Sequence, residues 1–243
     1  VKPYYQDEKS KIYLGNCMDI IEDINTFDVV VTSPPYNLNK SYSGGGKTEI
    51  CEKMQKKYGA WYPDELDEME YQKQQIKVLK MLVGKCTGSV FYNHKIRYAW
   101  HSRNKTRVPA NCYHPWDWVK NFEVWSEIIW NRMIPDKPNG RFLNQHEFIY
   151  QIGKPKINKS KGSNIWNIPP DHSEHVCSFP IEIPKRCIVA ATEKEDIVFD
   201  PYMGSGTTLR AAKDLNRRSI GIEIEEKYCE IAAQRLQQEV LPL

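Results

Sequence analysis

The chain has 243 residues, with 34 Lys and Arg against 31 Asp and Glu, so its formal net charge is +3. That length suits one sizeable domain with a packed core, and 40% hydrophobic with 27% charged residues is the balance of an ordinary globular protein. No stretch approaches the roughly 18 apolar residues of a membrane-spanning helix, seven cysteines without a C-x-x-C pair argue against a disulfide framework or zinc ribbon, and a charge of +3 is too small to imply a nucleic-acid partner by itself.

Val1 to Tyr5 carry no apolar signal stretch, so a cytoplasmic protein with reduced, buried thiols is expected. Residues 12–14 and 27–31 are short apolar runs that predict strands. A mixed, acidic-leaning stretch over 49–70 leads into a predicted helix at 71–83, with Ile76, Leu79 and Val83 on one stripe. The strand predicted at 89–92 is followed by Lys95, Arg97, Arg103, Lys105 and Arg107, with no acid among them and with Tyr98 and Trp100 interleaved. Residues 124–130 and 147–152, separated by Pro135, Pro138 and Gly140, read as an antiparallel pair at one edge. Lys154 to Lys161 holds four lysines and reads as an exposed loop. A helix over 180–191, a strand at 197–199, a helix at 208–215, a strand at 219–224 and a helix at 226–236 complete the chain. Strands alternating with helices predict a parallel α/β sheet covered on both faces.

Asp200-Pro201-Tyr202-Met203-Gly204-Ser205-Gly206-Thr207-Thr208 joins a predicted strand to a helix N-terminus. A tight glycine turn there is a nucleotide-type site, since a Cβ would block close approach of a ligand to the backbone. Glu223, at the end of the next strand, can accept bonds from ribose hydroxyls. A dinucleotide fingerprint would place Gly where Leu209 stands. The phosphate-loop pattern ending at Gly46-Lys47-Thr48 has Ser41 in place of its first glycine.

Thr32-Ser33-Pro34-Pro35-Tyr36-Asn37 follows the strand at 27–31. Two prolines end the strand and hold the backbone extended. Such a turn presents a hydroxyl, free carbonyls and an aromatic face together, which suits a planar ring bearing an exocyclic amine. Tyr36 would stack on the ring, while Ser33 and the Pro34 carbonyl take the amine hydrogens. Drawing those hydrogens out of plane localises the nitrogen lone pair and makes it nucleophilic.

With these two motifs in this order, the chain resembles the β class of S-adenosylmethionine-dependent DNA amino-methyltransferases. Gly15-Asn16-Cys17, Gly88 to Asn93, Ile129-Trp130-Asn131 with Arg141, Asn144, Glu147 and Tyr150, Asn164 to Pro169, Phe179 to Glu182, and Gly221 to Ile224 with Tyr228, Ala232 and Arg235 are similar to further family segments. The resemblance implies a Rossmann-like methyltransferase fold: a mostly parallel seven-stranded sheet, an antiparallel edge hairpin and helices on both faces. It implies one domain over 1–243, with a catalytic half at about 1–153 and a cofactor half at about 164–243. S-adenosyl-L-methionine is the implied cofactor, with Asn16, Cys17, Phe179, Asp200, Pro201, Tyr202, Gly204, Ser205, Gly206 and Glu223 around it. Ser33, Pro34, Pro35 and Tyr36 are the implied catalytic residues, and methyl transfer to the amine is direct. No Pro-Cys dipeptide of the kind that attacks a pyrimidine carbon is present. In this family Ser at the first motif position goes more often with cytosine N4, and Asp with adenine N6.

The chain departs from the family at Asn16, where an acid is common, at Tyr202, where Phe is commoner, and in lacking a long recognition region before Trp166. Recognition of double-stranded DNA therefore falls to loops 37–61, 94–114 and 154–162, with Lys95, Arg97, Arg103, Lys105, Arg107, Lys154 and Lys156 as DNA contacts. A cognate restriction endonuclease is a candidate partner, no membrane is expected, and monomer and homodimer are both open. The histidines and cysteines have no metal-ligand spacing, so no metal is expected. An adenine-N6 enzyme on the same scaffold, an RNA or protein-amide methyltransferase, and a non-catalytic nucleic-acid-binding module are the competing readings. The modified product separates the first three, and cofactor binding without turnover marks the last.

Overall fold

The computed structural model describes residues 1–37, 66–103, 106–133, 144–157, 159–170 and 179–239, with the backbone course only at 99–103 and 106–111. Its strands are β1 (Tyr5–Gln6), β2 (Ser10–Leu14), β3 (Val29–Thr32), β4 (Val90–His94), β5 (Arg97–Arg103), β6 (Thr106–Tyr113), β7 (Val124–Asn131), β8 (His146–Ile152), β9 (Ile165–Asn167), β10 (Ile197–Asp200) and β11 (Arg218–Glu223). Its helices are α1 (Cys17–Ile20), α2 (Glu68–Lys85), α3 (Trp116–Val119), α4 (Glu182–Ala191), α5 (Thr207–Asp214) and α6 (Glu226–Gln237).

Among the described residues one sheet has nine strands in the order β1-β2-β11-β10-β3-β4-β8-β7-β9. Pairing is parallel from β2 through β4 and antiparallel where β8 meets β4 and β7. All seven predicted runs are strands of this sheet, but the expected count of seven is corrected to nine. The added strands, β1 and β9, are two and three residues long, too short to show an alternation in sequence. The expected edge hairpin is also corrected: β9 pairs parallel with β7 and covers it, so the β7–β8 pair is internal. Strands β5 and β6 form a separate antiparallel ribbon where a loop was expected.

Successive side chains of a strand face opposite sides of the sheet, and both sides are apolar here. Val30, Val90, Tyr92, Phe148, Tyr150 and Phe199 point to a core with Tyr71, Leu79 and Leu82 of α2 and Trp118 of α3. Their neighbours Val29, Val31, Phe91, Ile149 and Val198 point the other way, toward Ile183, Cys187 and Ile188 of α4 and Ala211 and Ala212 of α5. Helix α2 starts at Glu68, before the predicted start at 71, because the Asp67 side chain accepts the Met69 and Glu70 N–H groups. No helix among the described residues is long and apolar enough to cross a membrane.

Gly206 takes φ +80 at the start of α5, and a Cβ there would lie 2.7 Å from the Ala232 Cβ of α6. Gly206→Ala is therefore expected to cost about 2–4 kcal/mol from overpacking and left-handed strain. A urea titration would show this as a lower midpoint at unchanged slope.

Candidate functional site

Strands β2, β3, β4, β10 and β11 are parallel, so their carboxyl ends lie along one edge of the sheet. Because β8 is antiparallel to β4, its start, with Glu147, lies at that edge too. The Ser-Pro-Pro-Tyr turn follows β3, the glycine turn follows β10, and Gly15-Asn16-Cys17 follows β2. Pairing of β3 with β10 makes the first two turns neighbours. The Thr32 hydroxyl donates to Asp200 Oδ1 at 2.8 Å across this junction, in a buried position.

Inside the glycine turn, the Tyr202 N–H also donates to Asp200 Oδ1 at 3.1 Å. Burial pushes the Asp200 carboxyl up to about 6, against the lowering effect of the Thr208 and Thr32 hydroxyls and the Tyr202 N–H. Glu223 accepts the Gly204 N–H on Oε2 at 3.0 Å, and the Ile224 and Glu225 N–H groups on Oε1 at 2.9 and 3.0 Å. Burial raises its pKa as well. Two backbone bonds occupy Oε1, so capacity to accept a ligand hydroxyl is concentrated on Oε2. Gly204 has φ +52 and a Cβ there would meet nothing within 4 Å, so this turn faces open space. Arg235 of α6 donates to Ser205 through its carbonyl at 2.9 Å and its hydroxyl at 3.1 Å, fixing the turn from behind.

Asn16 caps α1 by accepting the Met18 N–H at 3.0 Å. Cys17 is buried beside the Tyr202 hydroxyl, and burial pushes its thiol up to about 11, which removes it as a nucleophile. Phe179 is buried in the core on the α4 side.

Around Ser33 the geometry is dense. Its Oγ lies 2.7 Å from the Tyr36 hydroxyl, which also reaches Asn93 Oδ1 at 2.7 Å and Glu147 Oε2 at 3.0 Å. Pro34 is buried, and the Pro35 carbonyl accepts from the Tyr71 hydroxyl at 2.7 Å. His94 lies 2.7 Å from that hydroxyl through Nε2 and packs on the Tyr36 ring with centroids 4.6 Å apart. Burial and the nearby Arg97 hold the His94 imidazole well below its usual pKa, so it is neutral. The Lys95 ammonium stands 5.7 Å from the Tyr36 ring centroid, which places one expected DNA contact at the site. Sequence reasoning assigned no role to Asn93, Glu147, Tyr71 or His94. For Asn93, His94 and Glu147 the signal was a polar residue inside an otherwise apolar strand, since such a residue is buried only with partners.

Two groups of expected DNA contacts are corrected. Arg97 is only 5% exposed, forked on Glu68 at 2.6 and 2.7 Å, and its guanidinium lies over the rings of Tyr71, Tyr113 and Trp118. It is a structural cation, and its acid was hidden in the sequence 29 residues away. Lys154 and Lys156 lie past the end of β8, opposite the start of β4, and Lys156 pairs with Asp28 just before β3. They therefore sit at the amino ends of the parallel strands, across the sheet from Ser33. Lys105 and most of loop 37–61 lie outside the described residues, as do the side chains of Arg103 and Arg107. No cluster of three or more His, Cys, Asp or Glu able to hold a metal occurs among the described residues.

Residues 27–234 match the sequence model of a family described as DNA methylase. The Type II methyltransferase M.ScaI of Streptomyces caespitosus is 26% identical over an alignment spanning 100% of this chain and 86% of that protein. M.BglII of Bacillus subtilis, also a Type II methyltransferase, is 28% identical over 93% of this chain and 69% of that one. The solved structure of PvuII DNA methyltransferase, described as cytosine-N4-specific, superposes with a TM-score of 0.71 at 18% identity, covering 99% of this chain and 91% of that one. The Thermus thermophilus protein TTHA0409, solved in complex with S-adenosyl-L-methionine, superposes with a TM-score of 0.66 at 20% identity, over 94% of this chain and 93% of that one. These superpositions establish the shared fold.

Two measurements test the electrostatics. Asp200 binds its proton more tightly folded than unfolded, so the stability it contributes is present below about pH 4 and lost as pH rises through about 6. Asp200→Asn keeps the accepting oxygen and removes this loss, so its unfolding free energy in urea relative to wild type should rise between pH 4 and 7, by at most about 3 kcal/mol. Arg97→Ala should cost about 3 kcal/mol in urea, by removing the charge partner of Glu68 and leaving its carboxylate only the Gln72 amide bond. It should leave the salt dependence of DNA binding unchanged, whereas loss of a phosphate contact would lower that slope by about 1.

Proposed function

The chain belongs to the N6/N4 DNA methylase family of amino-methyltransferases, and from that membership we propose that it transfers the methyl group of S-adenosyl-L-methionine to the exocyclic N4 amine of a cytosine flipped out of duplex DNA. The observation that carries the proposal is the contact of the Ser33 turn with the Asp200 turn through Thr32 at 2.8 Å, which brings an amine-binding group and a nucleotide-type loop to one point.

The residues present fit the cofactor. Gly204 opens onto free space, and Glu223 keeps an oxygen able to accept a ribose hydroxyl. Asp200 and Glu223, both pushed toward their protonated forms by burial, would be relieved by a cationic ligand beside them. S-adenosyl-L-methionine supplies an electrophilic methyl group on a sulfonium. Ser33 Oγ and the Pro34 carbonyl accept the two amine hydrogens, which localises the nitrogen lone pair toward that methyl group. The rigid proline pair keeps these acceptors in place, and the Tyr71 bond to the Pro35 carbonyl holds the turn against α2. Flipping the base out of the duplex costs a few kcal/mol, to be recovered in contacts at this cleft.

Ser33 at the first motif position favours cytosine over adenine, and the likeness to a cytosine-N4-specific structure supports the same choice. DNA contacts would come from Lys95, from the β5–β6 ribbon with Arg103, Lys105 and Arg107, and from loop 37–61, which leaves the catalytic turn directly. The Type II relatives make a cognate restriction endonuclease the partner to seek.

Incubation with mixed-sequence duplex DNA and methyl-labelled S-adenosyl-L-methionine, followed by nucleoside mass spectrometry, tests the proposal. N4-methylcytosine is expected, with a loss of about 10²–10³ in rate for Ser33→Ala. N6-methyladenine as the product would keep the scaffold and overturn the choice of base.

A further inference from the structure

The Tyr36 hydroxyl has more neighbours than it has protons. Ser33 Oγ, Asn93 Oδ1 and Glu147 Oε2 lie 2.7, 2.7 and 3.0 Å from it. Asn93 Nδ2 donates to the Phe148 carbonyl at 3.0 Å, which turns Oδ1 toward Tyr36 as an acceptor. A carboxylate and an amide oxygen only accept, and a phenol carries one proton. The phenol proton is thus committed to Asn93 or Glu147, and the contact with Ser33 must be made by the serine proton. Ser33 then keeps both oxygen lone pairs for an incoming amine. Among the described residues its Oγ has no other hydrogen-bond partner.

We propose that Ser33, Tyr36 and Glu147 form a relay that removes the proton released by the methylated amine, with Glu147 as its terminus and with Asn93 and Arg132 positioning it. The inference rests on the amino-methylation proposed above. As the N–CH3 bond forms and the S–CH3 bond breaks, the electron pair of the broken bond remains on sulfur and the nitrogen must shed one proton. That proton passes to Ser33 Oγ, the serine proton to the Tyr36 oxygen, and the phenol proton to Glu147 Oε2. One N–H and two O–H bonds break, three O–H bonds form, and the carboxylate becomes a carboxylic acid. Burial and Glu147 hold the phenol well above its usual pKa, so Tyr36 gives up its proton only as it receives another. Arg132 Nη1 lies 3.6 Å from Glu147 Oε1, opposite the oxygen that meets Tyr36, and keeps the acceptor oriented. Tyr36 and Glu147 act through Ser33 and are positioning residues in that sense.

The test is the single-turnover methylation rate of the full chain on duplex DNA. Glu147→Gln can still accept a bond from Tyr36 but cannot take its proton, and Tyr36→Phe breaks the chain. Each should slow the step by about 10²-fold, with cofactor and DNA dissociation constants within about twofold of wild type, since neither loses a group assigned to binding. Glu147→Gln at the wild-type rate would overturn the relay and leave the methylation reading standing. The wild-type protein gives a second readout that needs no variant. A solvent deuterium effect whose proton inventory curves downward, as several protons in flight require, supports the relay, and no solvent effect overturns it. Failure of the wild-type protein to methylate any nucleoside would overturn both readings.

Discussion

The parallel pairing of β3 with β10, Val29 beside Val198 and Val30 beside Phe199, is the constraint on which the site depends. It brings together segments 168 residues apart in the chain, and the Thr32–Asp200 bond closes the junction at its carboxyl end. In a parallel sheet every strand delivers its carboxyl end to the same edge, so the turns that follow β2, β3, β10 and β11 converge without further instruction. Two-sided burial keeps the register in place. Val29 and Val31 pack on the α4 side and Val30 on the α2 side, so a slip of one residue would exchange every one of these contacts. Strands from the two ends of the chain are interleaved, since β11 and β10 lie between β2 and β3. The two ends of the chain therefore build one sheet, in which β10 and β11 are flanked by strands from the other end.

Around Tyr36 the fold does something that a hydrophobic core alone would not. Asn93, His94 and Glu147 are polar residues buried in strands β4 and β8, where an unpaired polar group would be costly. Each finds a partner: Asn93 with the Phe148 carbonyl, His94 with Tyr71 and the Lys95 carbonyl, Glu147 with Arg132, and the single Tyr36 proton serves Asn93 or Glu147. Such a network is rigid because rearranging any member strands another. In the proposed reaction that rigidity would serve Ser33, since acceptors that must reorganise during the reaction lose their advantage over water.

The glycine turn shows a division of labour. Gly206 is required by the helix behind it, where α6 leaves no room for a side chain, while Gly204 faces open space and leaves the front of the turn accessible. Asp200 is a buried acid and Glu223 a half-buried one, and their hydrogen-bond partners are hydroxyls and backbone N–H groups rather than cations. Their raised pKa values express an electrostatic demand that a positively charged ligand would satisfy. The charged fork of Arg97 on Glu68 has a different task, joining the start of β5 to α2.

The amino-acid sequence by itself determined the alternation of apolar strands and amphipathic helices, the two turn motifs and their order, because these are local patterns of period, glycine and proline. The start of α2 was not read from these patterns: the helix was expected from 71, and the Asp67 cap that begins it at Glu68 emerged in the structure. Tertiary structure alone decided which polar groups meet. Tyr36 finds Asn93 57 residues on and Glu147 111 residues on, and nothing in the neighbourhood of any of the three announces the others. Arg97 looked like a DNA contact for the same reason, since a run of basic residues shows charge but not the acid folded against it. Lys156 failed because exposure carries no information about which end of a sheet a loop occupies, and the direction of β8 decides that. Period and propensity act between neighbours in the chain, whereas hydrogen bonds and ion pairs act between neighbours in space, and strand order converts the one into the other.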